Sequence, residues 1–199
     1  MPIKKKARRK YDNSSRAQKS AETQQFLIET YVRLLSQRRG AEVQIQEIAE
    51  ASGLTTRTIF RFFKDKKSLH QAMETYLLKY LQHGAESLGQ NDFIQFARNL
   101  YVSFDRHPDL TIAYVVSPFG NEARALLRKK LNQLLIAKIK QERKIKSSSV
   151  ETQKRLAVVL ALINAKVWYD MRIDFEFSGA EMGDTLQWAF EILLQNIGV

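Results

Sequence analysis

An all-α fold is predicted for this 199-residue chain, and three features of its sequence predict it. Eight Gly and three Pro are few for the length, so little of the chain is given over to turns. Apolar residues recur at i, i+3, i+4 through most of it, the period of a helix with one buried face. Strongly alternating runs and Asn-Gly or Asp-Gly hairpin turns are missing. At 44% hydrophobic the chain can bury a sizeable core, as one domain or as a small domain beside a larger one.

The elements follow in order. Residues 1–20 carry Lys4, Lys5, Lys6, Arg8, Arg9, Lys10, Arg16 and Lys19 against Asp12 alone, so this arm has almost nothing to bury and is expected to be disordered when free. It either lies along phosphates or in a minor groove, or is a solvated tail. A first helix runs from about Glu22 to Arg39, with Leu27, Tyr31, Leu34 and Leu35 inward and Gly40 ending it. A second follows Gln44, a poor cap, and turns Ile45, Ile48 and Ala49 to the core. Ser52-Gly53 makes a tight turn, since Gly accepts the positive φ that ends one helix and redirects the chain. Thr55 or Thr56 can cap the third helix with its hydroxyl. That helix buries Ile59 and Phe63 at i, i+4 and leaves Thr56, Arg57 and Arg61 outward.

Asp65 can cap a longer helix whose stripe is Leu69, Met73, Tyr76, Leu77, Tyr80 and Leu81. Gly84 to Gln90 is a soft boundary. Asn91 or Asp92 caps a helix with Phe93, Phe96, Ala97, Leu100 and Phe104 at helical spacing, broken at His107-Pro108. Asp109 to Ser117 is a short apolar segment stopped by Pro118 and Gly120. A long helix from Asn121 to Lys146 carries a dense basic face, and Ser147-Ser148-Ser149 is a loop. Thr152 to Arg172 reads as one helix, apolar on two faces: Leu156, Val159, Leu160, Ile163 and Val167 on one, Val158, Leu162 and Trp168 on the other. Ser178-Gly179-Ala180-Glu181 is a capping box opening the last helix. That helix shows Leu186, Phe190, Leu193 and Ile197 toward one side, Trp188 and Ile192 toward another. Helices apolar nearly all round need cover on nearly all sides. Two chains pairing them as a four-helix bundle would supply it. The expected dimer contacts are Leu160, Ile163, Val167, Phe190, Leu193 and Leu194.

Two short helices about a glycine turn, the second with exposed Thr and Arg near its start, form the layout of a helix-turn-helix that enters a major groove. Charge agrees. Residues 1–70 hold 16 Lys and Arg against 7 Asp and Glu, and the rest of the chain holds 16 against 14, so nearly all of the net +11 lies with this unit. A polyanion would be met there, with affinity falling steeply as salt rises.

The block from Ile48 to Leu69 resembles the N-terminal domain of the TetR family of bacterial transcriptional regulators. Ile48, Ala49, Gly53, Leu54, Thr55, Thr58, Ile59, Phe60, Phe63, Lys66 and Leu69 fall in register with that family's pattern, and the similarity spans about Gln24 to Leu81. The chain departs from the pattern at Phe60 and Phe62, where the family favours Tyr and His, and at Gln44 and Arg57. Loss of the Tyr hydroxyl removes a group that often reaches a phosphate; Arg61, Lys64 or the basic arm would replace it, unless the two Phe only deepen the packing.

The resemblance implies an N-terminal three-helix DNA-binding domain over 21–70 and a helical effector-binding and dimerisation domain over 71–199. It implies a homodimer on a palindromic operator in double-stranded DNA. Thr56, Arg57 and Arg61 are the candidates for base edges, and Thr55, Thr58, Phe60, Lys64 and Lys66 stand at phosphate positions. In the second domain Tyr101, Phe104, Tyr114, Asn164 and Trp168 are the candidates to line a pocket for a small apolar or aromatic effector; each aromatic could equally be core. An effector that favours separated reading heads lowers operator affinity by linkage. A repressor is the expectation. A DNA-organising or division-control factor on the same scaffold and an activator are the alternatives.

Other classes find little support. Zero Cys excludes disulfides, Cys-bound zinc and thiol catalysis, and fits a reducing cytoplasm. His70, His83 and His107 show no metal-ligand spacing, and no Gly-rich phosphate loop occurs. Asp170 and Asp174 read as surface charge. Neither a cofactor nor a catalytic site is expected. The longest apolar run, Leu156 to Ile163, cannot span a bilayer, and no apolar signal segment follows the basic N-terminus.

Overall fold

The computed structural model describes residues 13–86, 91–117, 121–195 and 197. Within them lie ten helices and no strands: α1 (Asn13–Gln37), α2 (Ile45–Ser52), α3 (Thr56–Phe62), α4 (Lys66–Glu86), α5 (Phe93–Arg106), α6 (Pro108–Val116), α7 (Asn121–Glu142), α8 (Val150–Ala161), α9 (Ala165–Phe175) and α10 (Gly179–Gln195). The all-α expectation holds. Residues 1–12 of the basic arm lie outside the described residues, but Asn13 to Ser20 are helical, so the first helix opens earlier than the Glu22 expected. Its first turns are exposed and polar. The side chains of Tyr80 and Leu81, expected to continue the α4 stripe, also lie outside the described residues.

Two cores form. The first gathers Leu27, Tyr31 and Leu35 of α1, Ile48 of α2, Ile59 of α3, Phe63 just beyond it, and Leu69, Met73 and Leu77 of α4. Met73 and Leu77 belong to this core, so the boundary expected at residue 70 falls inside a continuous helix. The second core joins α5, α7, α8, α9 and α10 around Phe93, Phe96, Tyr101, Phe104, Trp168, Leu186 and Phe190.

Helix α6 binds the two halves together. Residues 109–117, expected only as an apolar segment, are helical because Pro108 starts a helix well: its missing N–H would have had no partner there. Ala113 is fully buried in the first core, while Ile112 and Val115 pack on the second and Tyr114 packs on both. Ser36 of α1 donates its hydroxyl to Asp109 at 2.7 Å. Gly40, at φ +86, lets the chain beyond α1 press on the end of α6: a Cβ there would stand 2.5 Å from the Val116 carbonyl oxygen.

Helix ends follow side-chain chemistry. Asp92 caps α5 by accepting the Gln95 N–H at 2.8 Å, and Asp65 caps α4 by accepting the Ser68 N–H at 2.7 Å. The Ser178 box opens α10 as expected: Ser178 Oγ accepts the Glu181 N–H at 3.2 Å, and Glu181 Oε2 accepts the Ser178 N–H at 2.8 Å. At α2, Glu47 compensates for Gln44 by accepting the Gln44 N–H at 2.7 Å. Helix α7 ends at Glu142 rather than Lys146.

The long helix expected from Thr152 to Arg172 is instead two, broken at Leu162–Asn164. Asn164 Oδ1 accepts the Lys166 N–H at 2.9 Å and so opens α9 as a cap. The buried Tyr101 hydroxyl donates to carbonyls at the break, Leu162 O at 2.5 Å and Asn164 O at 3.3 Å, the latter also accepting the Trp168 N–H at 3.2 Å. An unpartnered buried carbonyl would be costly; at Leu162 the α5 hydroxyl supplies a donor.

Candidate nucleic-acid interface and ligand cavity

The turn at Ser52-Gly53 is built as the sequence requires. Gly53 sits at φ +66 and its N–H returns to Glu50 O, closing α2. Thr55, in extended conformation, accepts the Thr58 N–H at 3.2 Å and caps α3. Of the residues expected at phosphates, Thr55 and Thr58 hold each other through their hydroxyls at 3.0 Å. Lys64 is exposed. Lys66 is engaged: its Nζ pairs with Glu42 at 2.6 Å, and this partner holds the Glu42 carboxyl below its ordinary range.

Helix α3 shows its reading face plainly. Ile59 and Phe63 are buried, and Arg57, Phe60 and Arg61 are exposed, with Thr56 half-buried beside them. The Arg61 guanidinium stands 5.1 Å from the Phe62 ring centre and covers that ring. Phe60, half of whose surface is open, has no polar group with which to meet a phosphate.

Between α1 and α4 of the same domain lies a group that the sequence pattern does not single out. His70 of α4 is buried, stacks on Tyr31 of α1 with ring centres 5.2 Å apart, and hydrogen-bonds the Tyr31 hydroxyl through Nε2. Burial first, and then the Lys66 charge, lowers the His70 pKa; Glu42 opposes them. Burial likewise raises that of Tyr31. The only trace in the sequence was the place of His70 beside the inward Leu69.

In the second half, a cavity of about 330 Å³ is lined by Phe96, Leu100, Phe104, Tyr114, Leu131 and Asn164 among others, with Arg128 and Lys166 as its charged lining residues. It therefore brings together Phe104, Tyr114 and Asn164 of the five expected pocket residues. Tyr101 and Trp168 do not line it. Both are fully buried, and their polar atoms are already used, the Tyr101 hydroxyl at the α8–α9 break and the Trp168 indole N–H on Asp105 at 3.1 Å.

The expected dimer contacts also divide. Leu160, Ile163, Phe190 and Leu194 are buried within the chain's own core, and Val167 is half-buried, because α5 packs along α10, and α7 and α10 pack against α8, in the same chain. Leu193 stays partly open. The large apolar side chains left exposed on α8 and α10 are Val150 at the start of α8, then Val158, Trp188, Ile192 and Leu193, with Trp188 63% exposed.

Among the described residues no three His, Asp or Glu side chains converge to hold a metal ion, and no helix is long and apolar enough to cross a membrane. The capped turn, the α1–α4 core and the exposed Arg57–Arg61 face define a helix-turn-helix DNA-binding domain. Residues 27–73 match the family model described as "Bacterial regulatory proteins, tetR family". This segment belongs to that family, and the chain carrying it is a DNA-binding transcriptional regulator. A comparison with curated proteins finds no match.

Proposed function

We propose that the protein is a cytoplasmic repressor that binds a palindromic operator as a homodimer and leaves it when a small apolar or aromatic effector fills the cavity. The observation that carries this reading is the position of Tyr114. One side chain packs against both cores and also lines the cavity, so a ligand that displaces it acts on α6 and, through Ala113 and the Ser36–Asp109 bond, on α1. Coupling of this kind needs two arrangements to which the ligand binds unequally.

Arg57 and Arg61, with Thr56, are assigned to base edges, and Lys64 and Lys66 to phosphates, Lys66 after exchange of Glu42 for DNA. The Thr55 and Thr58 hydroxyls keep the helix start in shape and contact phosphates from there. The basic arm adds further phosphate contacts. Residues 71–199 take the effector and dimerisation roles, although α4 belongs to both halves. The open apolar strip of Val158, Trp188, Ile192 and Leu193 supports a partner copy better than the six residues read from sequence, four of which face inward.

The test is selection of bound fragments from the source genome at two salt concentrations, with the full chain and with Arg57→Ala. A short palindrome beside a few promoters, with its preference relaxed at one position and binding weakened by roughly 1–3 kcal/mol in the variant, supports a local regulator. Equal binding to all fragments, lost as salt rises, would defeat it. Many dispersed sites would favour the DNA-organising alternative, and raised transcription from a bound promoter would favour an activator.

A further inference from the structure

We propose that Phe60 reads the C5-methyl group of a pyrimidine in the major groove. The inference rests on the assignment of α3 as the element that enters the groove. With 3.6 residues per turn, Phe60 lies one turn beyond Thr56 and beside Arg57, on the flank between the buried Ile59 side and the exposed Arg57–Arg61 side. It is 50% exposed, whereas the neighbouring Phe62 is partly buried and roofed by Arg61. Thus a bare phenyl ring, half of its surface open, stands between Thr56 and Arg57 at the edge of the exposed face.

That ring has neither donor nor acceptor. Pressed on a phosphate, it would strip water from a charge and return no hydrogen bond, an unfavourable exchange. Pressed on a base edge, it meets one apolar group, the C5-methyl of thymine, and burying a methyl against it is favourable. The same methyl is presented by 5-methylcytosine. Phe60 therefore leaves the phosphate group in which its position had placed it and joins Thr56, Arg57 and Arg61 as a residue that sets sequence preference.

The test starts from the duplex that the full chain selects from a random pool, and replaces each thymine singly with deoxyuridine, which lacks only the methyl. For the wild type, one such position in each half-site is expected to weaken binding by roughly threefold to tenfold. Phe60→Ala is expected to lose a similar factor on the parent duplex and to be indifferent to deoxyuridine there. Phe60→Leu, which retains an apolar tip, is expected to keep part of the discrimination. Where the selected base is cytosine, 5-methylcytosine is expected to tighten binding of the wild type and not of Phe60→Ala, which separates the two sources of the methyl. Far-UV circular dichroism melts should coincide for all three proteins, since residue 60 lies outside the core. If the wild type ignores every deoxyuridine, or Phe60→Ala keeps the same penalty, the assignment is overturned while specific binding stands. If no preferred duplex emerges at all, the reading of α3 as a specific DNA reader falls, and Phe60 with it.

Discussion

The Asp105 carboxylate accepts the indole N–H of Trp168 at 3.1 Å. The same group accepts Arg172 Nη1 at 2.8 Å and the backbone N–H of Gly179, so one side chain of α5 fastens both α9 and the first residue of α10. Arg172 in turn lies over the Trp168 ring, 5.5 Å from its centre. Gly179 can approach because it has no Cβ; one would collide with the Tyr101 carbonyl. Asp105→Asn keeps the shape but has one accepting oxygen and an amide that must face a donor. It is expected to lower stability by roughly 1.5–3 kcal/mol in urea denaturation. Arg172→Gln, whose partner remains hydrogen-bonded by two other donors, is expected to cost less.

Gly40 and Gly53 both hold positive φ, and they separate strain from collision. At Gly53 a Cβ would meet nothing within 4 Å; at Gly40 it would meet the Val116 carbonyl. Gly53→Ala is therefore expected to cost about 1–2 kcal/mol from backbone conformation alone. Gly40→Ala should cost more, and it should also loosen the seat of α6 on α1, seen as faster hydrogen exchange at Ala113 and Ser117. Equal losses for the two variants would show that the Val116 contact yields without penalty.

Acid should weaken the reading head through His70. Its folded pKa lies below the ordinary 6.5, chiefly from burial and then from Lys66, with Glu42 opposing. Below about pH 6.5 the unfolded chain therefore takes up a proton that the folded chain resists, and stability falls as pH is lowered. The Tyr31 hydroxyl cannot offset this, because burial keeps it protonated. Thermal melts between pH 7.5 and 5 should show a falling midpoint, and His70→Gln should flatten the part of the slope that this histidine contributes. An unchanged slope in the variant would place the acid sensitivity elsewhere.

Much of this architecture was legible from residue type and spacing. Gly53, the Thr55 cap, the inward Ile59 and Phe63, the Asp65 cap and the Ser178 box are local devices, and local chemistry decides them. The break at Leu162–Asn164 was not legible, because an uninterrupted apolar period favours one helix there. What divides it is a hydroxyl 61 residues away in sequence order, that of Tyr101 on α5, together with the Asn164 cap. The same distance effect hides which apolar faces of α8 and α10 the chain covers itself. Periodicity shows that Leu160 and Phe190 are buried, but does not say whether the cover comes from the same chain or another. Tyr101 and Trp168 were candidates for the cavity for a similar reason: an aromatic at helical spacing looks alike in a wall and in a lining.

Glu42 restrains Lys66 in the free protein through their 2.6 Å contact. Glu42→Gln removes a like charge from the path of the phosphates and releases the ammonium. Affinity for duplex DNA is expected to rise several-fold at low salt, and the slope of log affinity against log salt should steepen by about one for each phosphate gained. Lys66→Gln should do the reverse. No change in either variant would mean that this pair stands clear of the backbone of the duplex.

Trp188 is the largest side chain on the open strip of α8 and α10. Trp188→Asp puts a charge where a second copy would have to close, and its position outside the core leaves the fold of each chain intact. Sedimentation equilibrium is expected to show monomers for the variant and dimers for the parent, with loss of palindrome binding in parallel. A dimer that survives the change would move the interface off this strip.

The seat of Ala113 in the first core bears on how such a chain can change over evolutionary time. A reading head that closed its own core could be exchanged like a cassette between unrelated partners. This one borrows a wall from residues 108–116, which lie beyond α5 in the sequence. A graft of residues 21–70 alone would leave the flank of α1 uncovered, and recombination within α5 would part the head from its wall. The heritable module is therefore a discontinuous one, α1 to α4 with α6, and drift in the face of α6 must stay matched to α1 even where the cavity beside it is free to vary.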